Sequence, residues 1–253
     1  MPRITVLGAT GALGSTVARL ALQAGADLSV LVRRADRLAP DLRARAHVLE
    51  ADIRQMPSGA LAAFASGHTA LISCAGFVTE GEQFVSLVDT IVSELESLDA
   101  AAGPVCWFLA GLGLLDLDAT GRRGVDLPPV RATYWPHDSN YQRLLRSPLD
   151  WRLLCPGPMV DAPAVGVSSL RVSVDRLPTP MPDDAAALTV EGLMPLFGAR
   201  IPEMIIPYAD AAAFMLTNTT AHGAFTHKRV GLALPEGMRG HEEQWTAATP
   251  GRT

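Results

Sequence analysis

The chain has 253 residues, 48% of them hydrophobic, which is ample to fill the core of one α/β domain. A formal net charge of −5 and an isoelectric point near 5.7 argue against a nucleic-acid partner held by a basic surface. No apolar run reaches the roughly 18 residues of a membrane span, and no charged, then apolar, leader opens the chain, so a soluble cytoplasmic protein is expected.

The opening M-P-R-I-T-V-L-G-A-T-G-A-L-G-S carries the strongest local signal. Residues 4–7 read as a buried strand. Gly8, Gly11 and Gly14 follow at G-x-x-G-x-x-G spacing, and residues 16–24 read as an apolar helix. A strand, a glycine turn and a helix in that order predict a dinucleotide site. Gly8 permits the turn, Gly11 lets the pyrophosphate approach the backbone, and Gly14 lets the helix pack on the sheet. Gly8, Thr10, Gly11, Ala12, Leu13 and Gly14 are the candidate phosphate-binding residues, with N–H groups and helix dipole aimed at the anion.

Further along, strands are predicted at 28–32, 47–51, 69–74, 104–109 and 151–154. Helices are predicted at 59–65, 82–102 and 137–146, with a short charged helical stretch at 35–38. This alternation implies a doubly wound parallel sheet of the Rossmann type. After Pro156 the chain is punctuated by proline and few helical signals are visible. Loops and short strands are expected there, forming a small irregular C-terminal substrate region. A helix at 208–217 and a strand at 229–234 follow. The expected division is a single domain, 1–253: a cofactor-binding core over 1–157, a substrate-covering region over 158–236 and a loose polar tail over 237–253.

Strand ends carry the candidate chemistry. The second strand ends L-V-R-R, where an NAD-preferring site would place an acid. Arg33 and Arg34 can instead pair with a 2′-phosphate, which favours NADP(H); Asp36 lies beyond the strand end. The three cysteines, Cys74, Cys106 and Cys155, sit in or at the end of apolar runs and read as buried thiols. Asp116, Asp118 and Asp126 share a loop without the pattern of a calcium site, and His222, His227 and His241 lack zinc-ligand spacing, so no metal is expected.

V-L-G-A-T-G-A-L-G resembles the start of the atypical short-chain dehydrogenase/reductases, the group that includes NmrA-like proteins and NAD(P)H-binding flavin- or biliverdin-reductase-like proteins. The resemblance extends over roughly residues 3–234. It implies that Asp52 and Ile53, after the third strand, meet the adenine ring, and that Cys74, Ala75 and Gly76 stand where Asn-Ala-Gly leaves room for the ribose. In L-R-S-P-L-D-W-R-L-L-C-P-G-P, the residues Ser147, Leu149, Asp150, Trp151, Pro156 and Gly157 match the family's pattern, which places Pro156 against the cofactor. Cys155 stands where Arg is common. I-I-P-Y-A-D-A-A-A-F matches a strand followed by Asp-x-Ala, with Asp210 expected to cap the helix.

Classical short-chain dehydrogenase/reductases, to which that group is related, use a Ser after strand five and Tyr-x-x-x-Lys on the next helix. Here Ala110 and Gly111 occupy the serine's neighbourhood, and no Y-x-x-x-K follows. Tyr134 takes the tyrosine's place, with Asp138 four residues on. Pro136 is expected to open the helix, so that His137 and Tyr141 share a face and form a proton-donating pair. Tyr134, His137 and Tyr141 are the candidate catalytic residues.

The resulting expectation is an NADP(H)-dependent oxidoreductase acting on a small apolar or aromatic carbonyl or enone, with homodimerisation left open. The alternatives are a non-catalytic NADP(H)-sensing regulator, or an epimerase or dehydratase that retains its cofactor.

Overall fold

In the computed structural model, which describes residues 1–99 and 103–240, apolar runs of the predicted strands line up as β1 (Arg3–Leu7), β2 (Asp27–Val32), β3 (His47–Glu50), β4 (Ala70–Ser73), β5 (Val105–Leu109) and β6 (Trp151–Leu154). Their order across the sheet is β3-β2-β1-β4-β5-β6, all parallel, the doubly wound Rossmann arrangement. β10 (Arg229–Ala233) extends the sheet parallel to β6, and β8 (Arg171–Val174) closes it antiparallel to β10. A small separate pair joins β7 (Met159–Val160) to β9 (Ile206–Pro207).

Both faces of the sheet are covered, so each strand alternates between two apolar layers. On β5, Trp107 faces one layer with Ile4 and Val6; Cys106 and Phe108 face the other with Leu7. The first layer is closed by α1 (Ala12–Gln23) and α7 (Tyr208–Thr217), which pack on each other. α2 (Pro40–Arg45) adds Leu42 to it. The second layer is closed by α3 (Ala60–Ala65), α4 (Glu82–Glu96) and α5 (Pro128–Leu144), packed side by side. Arg143 clamps α5 to α4 through Asp89 at 2.6 Å and Glu96 at 2.7 Å.

The structure differs from the sequence reading in several places, among them an unpredicted α2 and an α4 that ends at Glu96. α1 starts at Ala12, four residues earlier than expected, because the glycine turn runs directly into it. α5 begins at Pro128 and continues through Pro136, nine residues before the predicted start. Pro128 and Pro129 fill the first turn, where a missing N–H costs nothing, and packing against α4 carries the helix over the interior proline. The proline-rich segment after Pro156 yields one more sheet strand, β8, and a helix, α6 (Val190–Arg200), with Pro195 inside it. Asp210 does not cap α7, whose N-cap is Pro207. Its buried carboxylate instead accepts the N–H groups of Val165 and Gly166, both at 2.9 Å, and ties that loop to the helix. Of the polar tail, residues 241–253 lie outside the described residues.

Candidate dinucleotide and catalytic site

The glycine turn sits between the carboxyl ends of β1 and β4, where the strand order reverses. Gly8 has φ +79°, and a Cβ there would lie 2.7 Å from the Cys74 carbonyl oxygen. A Cβ on Gly14 would lie 2.2 Å from the Gly8 carbonyl oxygen, so this glycine sets how closely α1 approaches the strand. Gly11 differs from both. It is exposed, its φ is −84°, and a Cβ would meet only Gly8 O, at 3.5 Å.

The turn fits an anionic ligand. Gly11 is the N-cap of α1, no side chain caps it, and the first turn carries no acid. Helix geometry leaves the N–H groups of Ala12 and Leu13 without an intrahelical acceptor, and the dipole favours negative charge there. Thr10, Gly11 and Ala12 are exposed at this end, whereas Leu13 is buried beneath it.

At the adenosine end, Arg33 and Arg34 are exposed after β2. Arg34 forms a two-point pair with Asp36, at 3.2 and 2.7 Å, which holds the Asp36 carboxyl below the usual carboxylate range. Both side chains are largely solvated, so the pair is weak and a phosphate can compete for the guanidinium. Asp52 caps the short turn at Ile53–Gln55 by accepting the Arg54 N–H, and its carboxylate also pairs with the Arg54 side chain at 3.3 Å. Ile53 is buried. At the end of β4, Cys74 is half-buried, unlike Cys106 and Cys155, which are buried as expected; desolvation pushes its thiol up to about 12, which disfavours the thiolate at neutral pH. Gly76 has φ +87° and a Cβ there would strike Phe84. The next residue, Phe77, is 56% exposed, with its N–H held by Glu80 at 3.0 Å.

The end of β5 meets α5. A Cβ on Gly111 would lie 3.3 Å from His137 Cδ2, 3.4 Å from Nε2 and 3.9 Å from a Tyr134 ring carbon. Tyr134 and His137 stack at 6.2 Å between centroids and 14° between planes. Tyr134 is 41% exposed, and His137 is buried, with the edge of Phe84 against it. Tyr141, one turn further, packs elsewhere: its ring meets Trp151 and lies under the Arg229 guanidinium at 5.2 Å. Burial raises the Tyr141 hydroxyl, and Arg229 opposes that rise. The structure thus brings Tyr134 and His137 together and sets Tyr141 apart from them.

Burial, with no charged partner, lowers His137 to about 4, against an ordinary 6.5. It is neutral at pH 7 and donates no imidazolium proton. The unfolded chain takes up this proton near pH 6.5, whereas the native chain resists until about pH 4. The stability held by the neutral ring is therefore complete above pH 6.5 and lost as pH falls towards 4, roughly 3 kcal/mol in all. Urea unfolding across that window should show the His137→Phe variant losing less stability than wild type, and parallel curves would refute the assignment.

Arg229 was not visible as a site residue in the sequence. It reaches the carbonyl of Leu114, Asp116 at 3.0 Å and Asp175 at 3.4 Å, and its charge slightly opposes the rise of the buried Cys155 thiol. The other loop acids are also paired: Asp118 with Arg122 at 2.8 Å and Asp126 with Arg123 at 2.9 Å. Among the described residues no cluster could hold a metal ion, and His241 lies outside them. No helix among them is long and apolar enough to cross a membrane.

Comparison with known proteins agrees with this geometry. The NAD(P)H-binding family model matches residues 8–187. The chain belongs to that NAD(P)H-binding family, and its cofactor is a nicotinamide dinucleotide. No curated protein matches it. Among solved structures, it is similar to a Rossmann-fold NAD(P)-binding family protein from Shigella flexneri, at 14% identity and a TM-score of 0.62, covering 95% of this chain and 97% of that one. It is also similar to an anaerobillin reductase from Escherichia coli O157:H7, at 20% identity and a TM-score of 0.62, covering 92% and 98%. A short-chain dehydrogenase/reductase from Veillonella parvula in complex with NADP matches at 14% identity and a TM-score of 0.65, covering 94% and 96%. At these identities the likeness is one of fold.

Proposed function

We propose that this chain is an NADP(H)-dependent oxidoreductase of the atypical short-chain dehydrogenase type, acting on a small apolar or aromatic carbonyl or enone. The observation that carries the reading is the stacked Tyr134–His137 pair beside Gly111, at the same end of the sheet as the glycine turn. The bound nicotinamide supplies the hydride. The protein's part is to orient and to protonate. Ala12 and Leu13 N–H groups hold the pyrophosphate. Tyr134, with an exposed ring on a rigid helix, donates its hydroxyl proton to the developing alkoxide or enolate. His137 is a neutral hydrogen-bonding group behind it. Exposed Phe77 adds an apolar surface, and the 78–80 turn that follows it packs on α5, which suits a flat apolar substrate.

The preference for NADPH rests on Arg33 and Arg34 standing where an acid would bind a ribose hydroxyl. NADPH should bind at least about tenfold tighter than NADH, or roughly 1.4 kcal/mol, and replacing both arginines by Ala should remove most of the difference. Calorimetric titration with the two cofactors tests this, and equal affinities in the unmodified protein would refute it. Turnover is tested by NADPH oxidation across quinones, enones and aromatic ketones.

A second reading, NADP(H) sensing without turnover, is favoured by one feature. The position four residues after Tyr134 holds Asp138, engaged by Arg123 at 2.7 Å, in place of a lysine. Dinucleotide binding with no turnover on that panel would shift the assignment to a sensor.

A further inference from the structure

Two buried polar atoms on α5 have no hydrogen-bond partner among the described residues: Nδ1 of His137 and Oδ1 of Asn140. His137 is 8% exposed and Asn140 5%. The residues are three apart on one helix, a spacing that puts two side chains on the same face with Cβ atoms about 5–6 Å apart. A buried polar atom left unpaired loses its hydration without return, and native structures satisfy such atoms with each other or through a buried water.

The two atoms are complementary in only one protonation pattern. A carbonyl oxygen can only accept. For the neutral ring to meet it, Nδ1 must carry the hydrogen. The ring cannot readily exchange its two nitrogens by turning over, because Tyr134 stacks on it and Phe84 meets it in a T-shaped contact at 5.6 Å and 88°. The other nitrogen, Nε2, is on the side of Gly111, at the end of β5.

We propose that Asn140 is the positioning residue of this site: its carbonyl accepts the Nδ1–H of His137 directly, which keeps the ring hydrogen on Nδ1 and leaves Nε2 as a bare acceptor facing the end of β5. His137 then does not donate to a substrate. It accepts a hydrogen bond, which selects substrates carrying a hydroxyl or N–H group beside the reacting carbonyl or alkene, while Tyr134 remains the donor. This consequence rests on the reading of the cleft as a substrate site; the arrangement of the hydrogen does not.

The test is long-range ¹H–¹⁵N correlation NMR of the full-length protein with ¹⁵N-labelled histidine at about pH 7, where the ring is neutral. The His137→Phe variant identifies the signal. The expected result is a hydrogen on Nδ1 in the unmodified protein, as the neutral Nδ1–H tautomer, and in Asn140→Asp, which keeps an acceptor oxygen. Asn140→Leu should convert it to the Nε2–H tautomer, the one that a free histidine side chain prefers. The Nε2–H tautomer in the unmodified protein, or an unchanged Nδ1–H tautomer in Asn140→Leu, overturns the proposal. Should the Leu variant fail to fold, an unprotonated Nδ1 in either remaining protein overturns it equally. Failure to bind any dinucleotide would count against the oxidoreductase reading and leave the NMR result standing by itself.

Discussion

Gly11→Val should abolish dinucleotide binding in a protein that still folds. Calorimetric titration with NADPH is expected to show affinity reduced by about 100-fold or more, equivalent to roughly 2.7 kcal/mol. The fold should survive, since Gly11 has φ −84° and ψ 167°, a conformation that suits a β-branched residue, and its Cβ would meet only an ordinary contact at 3.5 Å. What the branched side chain takes up is the space above the free N–H groups of Ala12 and Leu13, where the pyrophosphate must come within hydrogen-bonding distance. Gly14→Ala provides the contrast. Its Cβ would stand 2.2 Å from a backbone oxygen, so the helix itself must move. That variant should lose thermal stability along with binding, whereas Gly11→Val should melt close to the unmodified protein. Unchanged NADPH affinity in Gly11→Val would remove the glycine turn from the binding site.

Tyr134→Phe should lower kcat by at least about 10²-fold on any substrate that is turned over, with NADPH affinity unchanged. General acid catalysis contributes about 10²- to 10⁴-fold, and a Phe ring keeps the stack on His137 while deleting the proton. The residue is 41% exposed, so deletion of its hydroxyl leaves no buried group unpaired and should not affect folding. Tyr141→Phe provides the comparison. Tyr141 lies against Trp151 and under Arg229, contacts that a Phe ring keeps, so this variant should barely change kcat. A full rate in Tyr134→Phe would move proton donation elsewhere, and a large loss in Tyr141→Phe would return that residue to the mechanism.

These two tyrosines show how much of the site was legible before the fold was known. Both were named from the sequence, along with His137, because the resembled family carries its donor on this helix. Their division of roles was not legible. Pro136 suggested a helix start at its own position, which would have left Tyr134 outside the helix and paired His137 with Tyr141. Packing of α5 against α4 overrides that local preference, the helix runs through Pro136, and Tyr134 becomes the ring that stacks on His137. The titration of His137 reversed an expectation for a similar reason. Imidazole alone titrates near neutrality, and only the surrounding burial lowers it to about 4.

The sequence by itself determined the doubly wound sheet and the place of the glycine turn. Those rest on short-range physics: apolar runs of strand length, turn residues and a helix that begins where no side chain obstructs it. Residues 4–7, 28–32 and 151–154 could be read as strands because each carries its own burial pattern. Only the tertiary structure decided the rest. β8 was concealed in a proline-rich segment, and its strand character depends on pairing with β10, more than 50 residues away in the chain. Arg229 reaches Leu114 and Asp116, 115 and 113 residues distant, and no local pattern announces such a contact. Asp210 looks like a helix cap in isolation, yet it grips the backbone of Val165 and Gly166, because the fold brings that loop to its carboxylate. Local sequence sets the elements that carry their own apolar pattern; β8, the reach of α5, charge pairing and proton affinities are set by what the fold brings together through space.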